Sequence, residues 1–318
     1  MLGRELRDVQ MKLTIATRGS KLALWQAHHI TALLTAEHPG LSVDLLILKT
    51  QGDKILDVPL AKVGGKGLFV KEIEEALLDG RADLAVHSMK DVPVEQPRGL
   101  ILGAVPKRED DADMLLSHEY ASLADLPAKA VVGTSSLRRQ SQLLAIRPDL
   151  DIRMLRGNLD TRVGKMLEGQ FQAIVVAAAG LNRLGLTAPR MVRLSAPEFL
   201  PAVGQGALGL EYRQDDPRVA GLTAFLDHPD THDAVRAERG FLTRLEGGCQ
   251  VPIAAWGQVL SPEAIRLTGL VAEPDGSRVI RAGQEGPRAS AAQLGSAVAE
   301  EVLKQGGGEI LRRVYGKA

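Results

Sequence analysis

Residues 13–34, LTIATRGSKLALWQAHHITALL, indicate the fold of the N-terminal part of this chain. The first five residues form a short apolar run of the kind that becomes a buried strand, and Arg18-Gly19-Ser20 supplies a turn. Apolar residues at helical spacing follow the turn, namely Leu22, Trp25, Ile30, Leu33 and Leu34. The stretch therefore predicts a strand, a turn that carries an arginine and a serine, and an amphipathic helix.

The same order of strand and helix recurs through the first 180 residues. Strands are predicted at 43–48, 83–87, 131–132, 152–155 and 173–178, and helices at 69–79, 137–147 and 159–168. Residues 50–66 are rich in glycine and proline and predict a loop. Because strands alternate with helices, we expect parallel pairing within sheets that the helices cover.

Two interruptions of the strand–helix pattern, and a different order of predicted elements near the C-terminus, divide the chain. Residues 106–112 form a charged break and a plausible hinge, and a second break lies at 201–206. Residues 207–212 predict a strand that returns to the first sheet. Beyond residue 228 we predict a helix at 232–245, strands near 251–258, 264–271 and 278–282, and a final helix at 289–305. This order suits a small α+β domain at the C-terminus.

The composition narrows the class of protein. The 318 residues hold 39 Lys and Arg against 39 Asp and Glu, with 45% hydrophobic and 3% aromatic residues, which is typical of a soluble globular chain and not of a nucleic-acid binder. One cysteine cannot form an intramolecular disulfide. The first twelve residues lack the apolar core of a signal peptide, and the longest apolar run, residues 173–179, is too short to span a bilayer. We expect a cytoplasmic protein that binds no membrane.

The arginines are unevenly distributed. Between residues 129 and 165, three Asp oppose eight basic residues, which are Lys129, Arg138, Arg139, Arg147, Arg153, Arg156, Arg162 and Lys165. Several of these follow predicted strand ends, where helix N-termini and guanidinium groups together bind carboxylates or phosphates. The pattern favours a cleft for a compact polyanion, and Arg18 and Ser20 at the equivalent first turn support it. The alternative is a solvated basic face with internal salt bridges.

Two single residues are candidates for chemistry. Asp91 follows a predicted strand, and the carboxyl ends of strands line the ligand crevice of α/β sheets. There a carboxylate stabilises a developing cation or moves a proton, although Asp91 could equally be a turn cap. Cys249 follows two glycines, which suggests an accessible thiol for covalent attachment; the alternative is a small buried side chain.

Two glycine-rich segments do not predict nucleotide sites. Residues 204–209 match the pattern G-x-G-x-x-G, but the strand–turn–helix context that the dinucleotide motif requires is missing. Residues 64–67 lack the spacing of a P-loop. The histidines show no metal-ligand spacing, and we predict no metal site.

Seven segments carry a resemblance to a known family. They are IATRGSKLALWQA (15–27), LAKVGGKGLF (60–69), AVHSMKDVP (85–93), VGTSSLRRQ (132–140), LRGN (155–158), LPAVGQGA (200–207) and LEGGCQVP (245–252). In these segments the chain resembles the porphobilinogen deaminase family, over nearly its whole length from about residue 12 onward.

The resemblance implies an α/β fold with two lobes of the periplasmic-binding-protein type around a cleft, plus a small α+β C-terminal domain. The implied ranges are 11–106 with 207–225, 112–200, and 229–318. It also implies a dipyrromethane cofactor joined to Cys249 by a thioether, and a monomer. Four porphobilinogen molecules would be added to that primer with loss of ammonia, and hydrolysis would release hydroxymethylbilane.

The resemblance assigns roles residue by residue. It makes Asp91 the catalytic carboxylate. The cofactor-binding residues would be Cys249, Arg138, Arg139, Ser136, Thr134, Lys90, Ser88, Asn158 and Gln205. The substrate-binding residues would be Arg18, Ser20, Lys62, Lys66, Phe69, Arg156, Arg162 and Arg183.

Two other classes of protein compete with an enzyme. A solute-binding protein uses the same two-lobed fold to hold an anion without turnover, but that class favours a secretion signal and gives Cys249 no role. A nucleic-acid-binding regulator predicts a basic chain with a helix-turn-helix, and the sequence shows neither.

Overall fold

The computed structural model describes residues 11–54, 67, 69–246 and 251–316, and thirteen strands in these residues form three sheets. The strands are β1 (Lys12–Arg18), β2 (Ser42–Leu48), β3 (Leu84–Ser88), β4 (Leu100–Ala104), β5 (Asp113–Ser117), β6 (Val131–Gly133), β7 (Asp151–Arg153), β8 (Ala173–Ala177), β9 (Arg190–Leu194), β10 (Leu208–Arg213), β11 (Ile253–Val259), β12 (Ala264–Ala272) and β13 (Val279–Pro287).

Ten α-helices accompany the strands in the described residues. They are α1 (Lys21–Glu37), α2 (Gln51–Lys54), α3 (Lys71–Leu78), α4 (Leu137–Ile146), α5 (Leu159–Leu167), α6 (Ala178–Leu184), α7 (Pro217–Thr223), α8 (Pro229–Arg244), α9 (Ala291–Val302) and α10 (Gly308–Tyr315). Short 3-10 turns lie at Met89–Asp91, Ala224–Leu226 and Arg288–Ser290. None of these helices combines the length and apolarity needed to cross a bilayer.

The first sheet has the strand order β2-β1-β3-β10-β4. β1 pairs in parallel with β2 and β3, as the alternation of strand and helix predicts. Helix α1 begins at the predicted turn because Ser20 caps it, with its Oγ accepting from the backbone N–H of Ala23 at 3.3 Å. Ile30 and Leu34 of that helix are fully buried with Leu13 and Ile15 of β1, so this apolar face holds the helix on the sheet.

The second sheet repeats this plan with the order β7-β6-β8-β5-β9. β6 is parallel to β7 and β8, and helix α4 follows β6 after a turn that again ends in a capping serine, Ser136. Leu115, Val132 and Leu143 are buried in its core. The order of strand, turn with a capping serine, and helix that the sequence shows in both halves is therefore repeated in the structure.

Two connecting segments, residues 105–112 and 195–207, join the two sheets and lie side by side. Nε of Arg108 donates to the carbonyl of Gln205 at 2.6 Å, and the amide of Glu109 donates to the carbonyl of Gly206 at 3.2 Å. After each connection the chain enters the new sheet as an antiparallel strand: β5 pairs with β8 and β9, and β10 with β3 and β4. The predicted return of residues 207–212 to the first sheet is confirmed.

The third sheet is antiparallel, in the order β11-β12-β13, and α8 and α9 cover one face. The two helices touch through glycines. A Cβ on Gly295 would lie 2.1 Å from the carbonyl oxygen of Ala237, and one on Gly240 would lie 2.3 Å from that of Ala292. Glycine is therefore required at this crossing. The predicted fold class, two α/β sheets with a small C-terminal α+β unit, is confirmed.

Several predicted elements differ from the observed ones. The predicted final helix is interrupted, because α9 ends at Val302 and a π-type turn with Gly306 at φ 98° leads into α10. Residues 51–54 of the predicted loop form the short helix α2. The rest of that prediction, residues 55–66, lies outside the described residues. Strands β4, β5 and β9 have no counterpart in the prediction. In β9, RMVRL, two arginines interrupt the apolar residues, and β4 and β5 are only five residues long.

Candidate active site

A cleft of about 1910 Å³ opens between the first two sheets. The turns that follow β1, β3, β6 and β8 line it, as expected where carboxyl ends of parallel strands meet. Its described lining residues include eleven Lys and Arg and five Asp and Glu. Of the eight basic residues between 129 and 165, five line the cleft, namely Arg138, Arg139, Arg156, Arg162 and Lys165. Five of the eight basic residues that predicted an anion-binding cleft therefore line the observed cleft.

The other basic residues of that segment lie elsewhere. Arg147 pairs with Asp149 at 2.8 Å, and Arg153 pairs with Asp151 at 2.7 Å, both on the protein surface. For these residues the alternative interpretation, a solvated face with local salt bridges, is the right one.

Asp91 ends the 3-10 turn that directly follows β3, and it lines the cleft. The turn is anchored by Met89, which is buried and whose amide donates to the carbonyl of Ala207 at 3.0 Å. The turn is closed by its own backbone, with the amide of Val92 donating to the carbonyl of Met89 at 3.2 Å. The Asp91 carboxylate is therefore not what closes the turn.

Arg138 and Arg139 of α4 share one buried carboxylate, Asp113 at the start of β5. Nη1 of Arg138 and Nε of Arg139 donate to the Asp113 carboxylate at 2.7 Å and 2.9 Å. Burial alone would raise the pKa of Asp113, but the two guanidinium groups lower it to about 2. One carboxylate faces two cations, so the group keeps a positive charge at the cleft wall.

Lys90 and Arg162 are half-buried cations that also line the cleft, Lys90 on the turn after β3 and Arg162 on α5. Burial lowers the pKa of Lys90 to about 8 against the opposing effect of Asp91. Burial also lowers the pKa of Arg162 to about 10, assisted by Arg139 and Arg156. Desolvated cations that repel one another gain strongly from an anionic ligand, because its charge replaces the hydration they lack.

Arg18 lies at the end of β1, with its guanidinium carbon 4.3 Å from the centroid of the Phe69 ring. Ser20 and Ser136 line the cleft and also cap α1 and α4, Ser136 accepting from the amide of Arg139 at 3.4 Å. Ser88 accepts a hydrogen bond from Nε2 of Gln26 at 2.8 Å. These side chains thus hold the backbone at the cleft as well as facing it.

The remaining predicted site residues include two that already have structural partners. Gln205 is fully buried, and its Nε2 donates to Oδ1 of Asp113 at 3.0 Å. Arg183 donates to the carbonyl of Gly206 at 2.7 Å, and burial lowers its pKa. Thr134, Asn158 and both of these residues line the cleft.

Three predicted site residues, Cys249, Lys62 and Lys66, lie outside the described residues. The nearest described neighbours of Cys249, Glu246 and Val251, both line the cleft. Among the described residues, no group of three or more His, Cys, Asp or Glu side chains is arranged to hold a metal ion.

Sequence reasoning did not find Asp113 or the buried pair His87 and Glu211. Asp113 stands in a run of acids that reads as a charged break, and nothing local distinguishes it from Asp110 or Asp111. Its partners are 25 and 26 residues away in the chain. Only strand pairing brings them together.

Comparisons with known proteins identify the family. The family model described as porphobilinogen deaminase, dipyromethane cofactor binding domain, matches residues 13–221, and that of the porphobilinogen deaminase C-terminal domain matches residues 233–304. A relative from Maridesulfovibrio salexigens is 67% identical over 96% of this chain and 99% of its own. Relatives from Nitratidesulfovibrio vulgaris strain Miyazaki F and Lawsonia intracellularis are 61% and 55% identical, each over 96% of this chain and 98% of theirs.

All three relatives are named porphobilinogen deaminase. Among solved structures, an arginine-specific periplasmic binding protein of Salmonella typhimurium aligns with 68% of this chain and 92% of its own at 13% identity and a TM-score of 0.41. The sequence matches alone are decisive, and they confirm the resemblance carried by the seven segments: the chain belongs to the porphobilinogen deaminase family.

Proposed function

We propose that the chain catalyses the hydroxymethylbilane synthase reaction, in which four porphobilinogen molecules are joined head to tail with release of ammonia. Hydrolysis then releases the linear tetrapyrrole hydroxymethylbilane. The observation that carries the proposal is the cleft, in which Lys90 lies beside Asp91 on the same turn and Arg138, Arg139 and Arg162 contribute further cations to the lining. Membership of the porphobilinogen deaminase family supplies the substrate.

Dipyrromethane is the cofactor that the matching family model describes, and we assign its attachment to Sγ of Cys249 through a thioether. Cys249 is the one cysteine in the sequence, and its described neighbours Glu246 and Val251 line the cleft. When bound, the cofactor supplies the pyrrole carbon to which the first substrate is joined, and it stays on the enzyme after the product leaves.

The cleft wall suits such a cofactor. Each pyrrole ring of the primer and of the growing chain carries an acetate and a propionate, so carboxylates accumulate as the chain lengthens. Lys90 and Arg139 would hold the carboxylates of the primer, together with Arg138 through its shared pair with Asp113. Thr134, Ser136, Ser88 and Asn158 add hydroxyl and amide groups, and Gln205 supports the wall from behind.

The incoming porphobilinogen is assigned to the side of the cleft formed by Arg18, Ser20 and Phe69, together with Arg156, Arg162 and Arg183. Lys62 and Lys66, outside the described residues, are assigned to the same task from the family pattern. Guanidinium groups bind the planar carboxylates of the substrate through paired N–H donors. Substrate and primer are thereby held with their reacting carbons facing Asp91.

Asp91 is assigned the catalytic role. Departure of ammonia from porphobilinogen leaves positive charge spread over the pyrrole ring and its methylene carbon. A fixed carboxylate beside that cation stabilises it more than the starting material, which lowers the barrier to the step. The turn at Met89–Asp91 holds the carboxylate in place because its backbone is anchored to Ala207.

Three organisational features complete the proposal. The ranges 11–106 with 207–225, 112–200 and 229–318 are its three domains, and the three separate sheets and cores support this division. A monomeric state and a cytoplasmic location remain predictions from the sequence. Size-exclusion chromatography with light scattering tests the first, and cell fractionation the second.

The experiment that tests the function combines intact mass with turnover. The purified protein should exceed its 34.1 kDa chain mass by two linked pyrrole units, and Cys249→Ser should remove the excess. Added porphobilinogen should yield four ammonia per hydroxymethylbilane. A protein of bare chain mass that binds porphobilinogen without releasing ammonia would instead be a solute-binding protein, and the proposal would be wrong.

A further inference from the structure

His87 and Glu211 form a buried pair close to the turn that carries Asp91. Nε2 of His87 lies 2.8 Å from Oε2 of Glu211, and the two side chains are 4% and 0% exposed. They stand on the neighbouring antiparallel strands β3 and β10. The function proposed above uses neither residue, although withdrawing an imidazole and a carboxylate from water is unfavourable unless they are well paired.

The pair belongs to a larger group of titratable side chains. Oε1 of Glu211 is buried without a hydrogen-bond partner among the described residues. Glu74 of α3 approaches from the cleft side, and its pKa is raised to about 7, first by burial and then by the charge of Glu211. Arg239 of α8 is the cation that interacts with Glu211 from behind. Two carboxylates around one imidazole form a group able to exchange a proton near neutral pH.

A small recess connects this group to Asp91. The recess measures about 70 Å³ and is lined by both His87 and Asp91, together with Ser20, Gln26 and Ser88. Its lining also includes apolar side chains such as Leu22 and Ile73, and a space of this size has room for about two water molecules held by its polar groups. Because Nε2 of His87 is engaged by Glu211, Nδ1 is the ring nitrogen that remains for such a water.

We propose that His87, held by Glu211, is a positioning residue that receives, through water in this recess, the proton that Asp91 hands on at each condensation. The proposal rests on the function assigned above. In each cycle the C–N bond of porphobilinogen breaks, with its electron pair leaving on ammonia, and a C–C bond forms to the terminal pyrrole. The C–H bond of the attacked carbon then breaks, its electron pair restores the aromatic ring, and the proton passes by way of Asp91 and His87 to the released ammonia as ammonium.

The charges around the imidazole suit that task. The contact between Nε2 and Oε2 of Glu211 is a hydrogen bond in the tautomer that has its hydrogen on Nε2, and this assignment leaves the lone pair on Nδ1, as in other carboxylate–histidine pairs. Glu74 interacts with the pair from α3, and Asp91 lines the recess from the turn. Arg18 lines the same recess from the end of β1, and Arg239 acts on Glu211 from α8. The imidazole therefore has both carboxylates and cations around it.

The test compares the pH profiles of kcat and KM for porphobilinogen in the wild-type protein, His87→Gln and Glu211→Gln. We expect kcat of the wild type to fall toward acid pH, an acid limb of the profile, because protons already taken up in the recess then block transfer from Asp91. His87→Gln should lower kcat about tenfold at neutral pH and lose that acid limb, with KM changed less than twofold. Glu211→Gln removes the carboxylate that holds the ring in place, so kcat at neutral pH should fall in the same direction as in His87→Gln.

Three further measurements separate this role from a structural one. Intact mass should show the same attached pyrrole units in every variant, and added imidazole should partly restore kcat of His87→Gln. Glu74→Gln should keep an acid limb, which excludes Glu74 as its origin. His232→Gln is the matched control, because His232 also pairs with a carboxylate, Asp227 at 2.8 Å, but lies outside the recess.

A wild-type pH profile in His87→Gln, or an equal loss of kcat at every pH without rescue by imidazole, would overturn the proposal. These failures differ from a failure of the proposed function, in which the wild-type protein itself forms no tetrapyrrole.

Discussion

Arg138 and Asp113 form a buried ion pair in which Nη1 of the arginine lies 2.7 Å from Oδ2 of the carboxylate, and their side chains are 4% and 0% exposed. Arg139 binds the same carboxylate through Nε at 2.9 Å. Because Nη1 of Arg138 also donates to the carbonyl of Leu200 at 2.8 Å, the pair ties helix α4 to the connection between the sheets. A single buried acid, Asp113, therefore holds both arginines in the lining of the cleft.

Replacing Asp113 should destabilise the whole protein. Asp113→Asn leaves two buried guanidinium groups without a counter-ion, and removing one partner of a buried pair costs about 3–5 kcal/mol. Urea unfolding followed by circular dichroism measures the loss. Asp149→Asn is the control, since it breaks a surface pair with Arg147 and should leave the midpoint unchanged. Equal midpoints for the two variants would contradict the assigned role of Asp113.

The same pair predicts how stability depends on acid. The pKa of Asp113 is about 2 in the folded protein, because Arg138 and Arg139 outweigh the effect of burial, whereas an unfolded Asp has a pKa of about 3.9. A lowered folded pKa gives stabilisation that is complete above the unfolded value and is lost as the pH falls toward the folded one. The free energy of unfolding should therefore decline between about pH 4 and pH 2 more steeply in wild type than in Asp113→Asn, as urea titrations across that range would show.

Asp91 should affect chemistry more than binding. Asp91→Asn keeps the size of the side chain and removes its charge, so turnover should fall about 10²-fold or more while the attached primer is retained. Asp91→Glu keeps the charge but displaces it by one methylene and should retain partial activity. Steady-state rates on porphobilinogen and intact mass of both variants decide this. A fully active Asp91→Asn would contradict the catalytic role assigned to the carboxylate.

The cleft arginines should be needed for primer assembly. Arg156→Leu leaves a primer or substrate carboxylate without its partner in a desolvated cleft, a loss of about 2–5 kcal/mol. The fraction of protein carrying pyrrole units, measured by intact mass, should fall. Arg153→Leu is a close control, because Arg153 lies three residues away and pairs with Asp151 on the surface. If both variants were loaded and active like wild type, the cluster would not bind the primer.

Much of the fold follows from local pattern. Residues 13–34 gave their strand, capped turn and helix correctly because Leu13, Ile15, Ile30 and Leu34 repeat at the spacings of a buried strand and an amphipathic helix. Strand β9, Arg190–Leu194, escaped prediction because it is an edge strand whose two arginines face solvent. Its structure depends on pairing with β5, and such pairing leaves little local signal.

In the candidate site, too, residues marked by local sequence pattern could be predicted, and residues that depend on long-range pairing could not. Asp91 and the arginines were found because they follow strand ends, where ligands bind in α/β sheets. Glu211 could not be found, because it lies 124 residues from His87 and an isolated glutamate in an apolar strand gives no sign of its partner. Charged residues that act on one another across a fold are visible only once the strands are paired.

The position of β10 has a consequence for the order in which the protein is made. β10 lies between β3 and β4 and is hydrogen-bonded to both, yet it begins at residue 208, about a hundred residues after β4 ends. The second sheet is formed wholly by residues 113–194, so the ribosome releases all of its strands before the first sheet can close. Until residues 208–213 are made, β3 lacks its partner on one side and β4 is not joined to the sheet, so the first lobe is completed only after the second has been synthesised and its unpaired strand edges stay exposed until then.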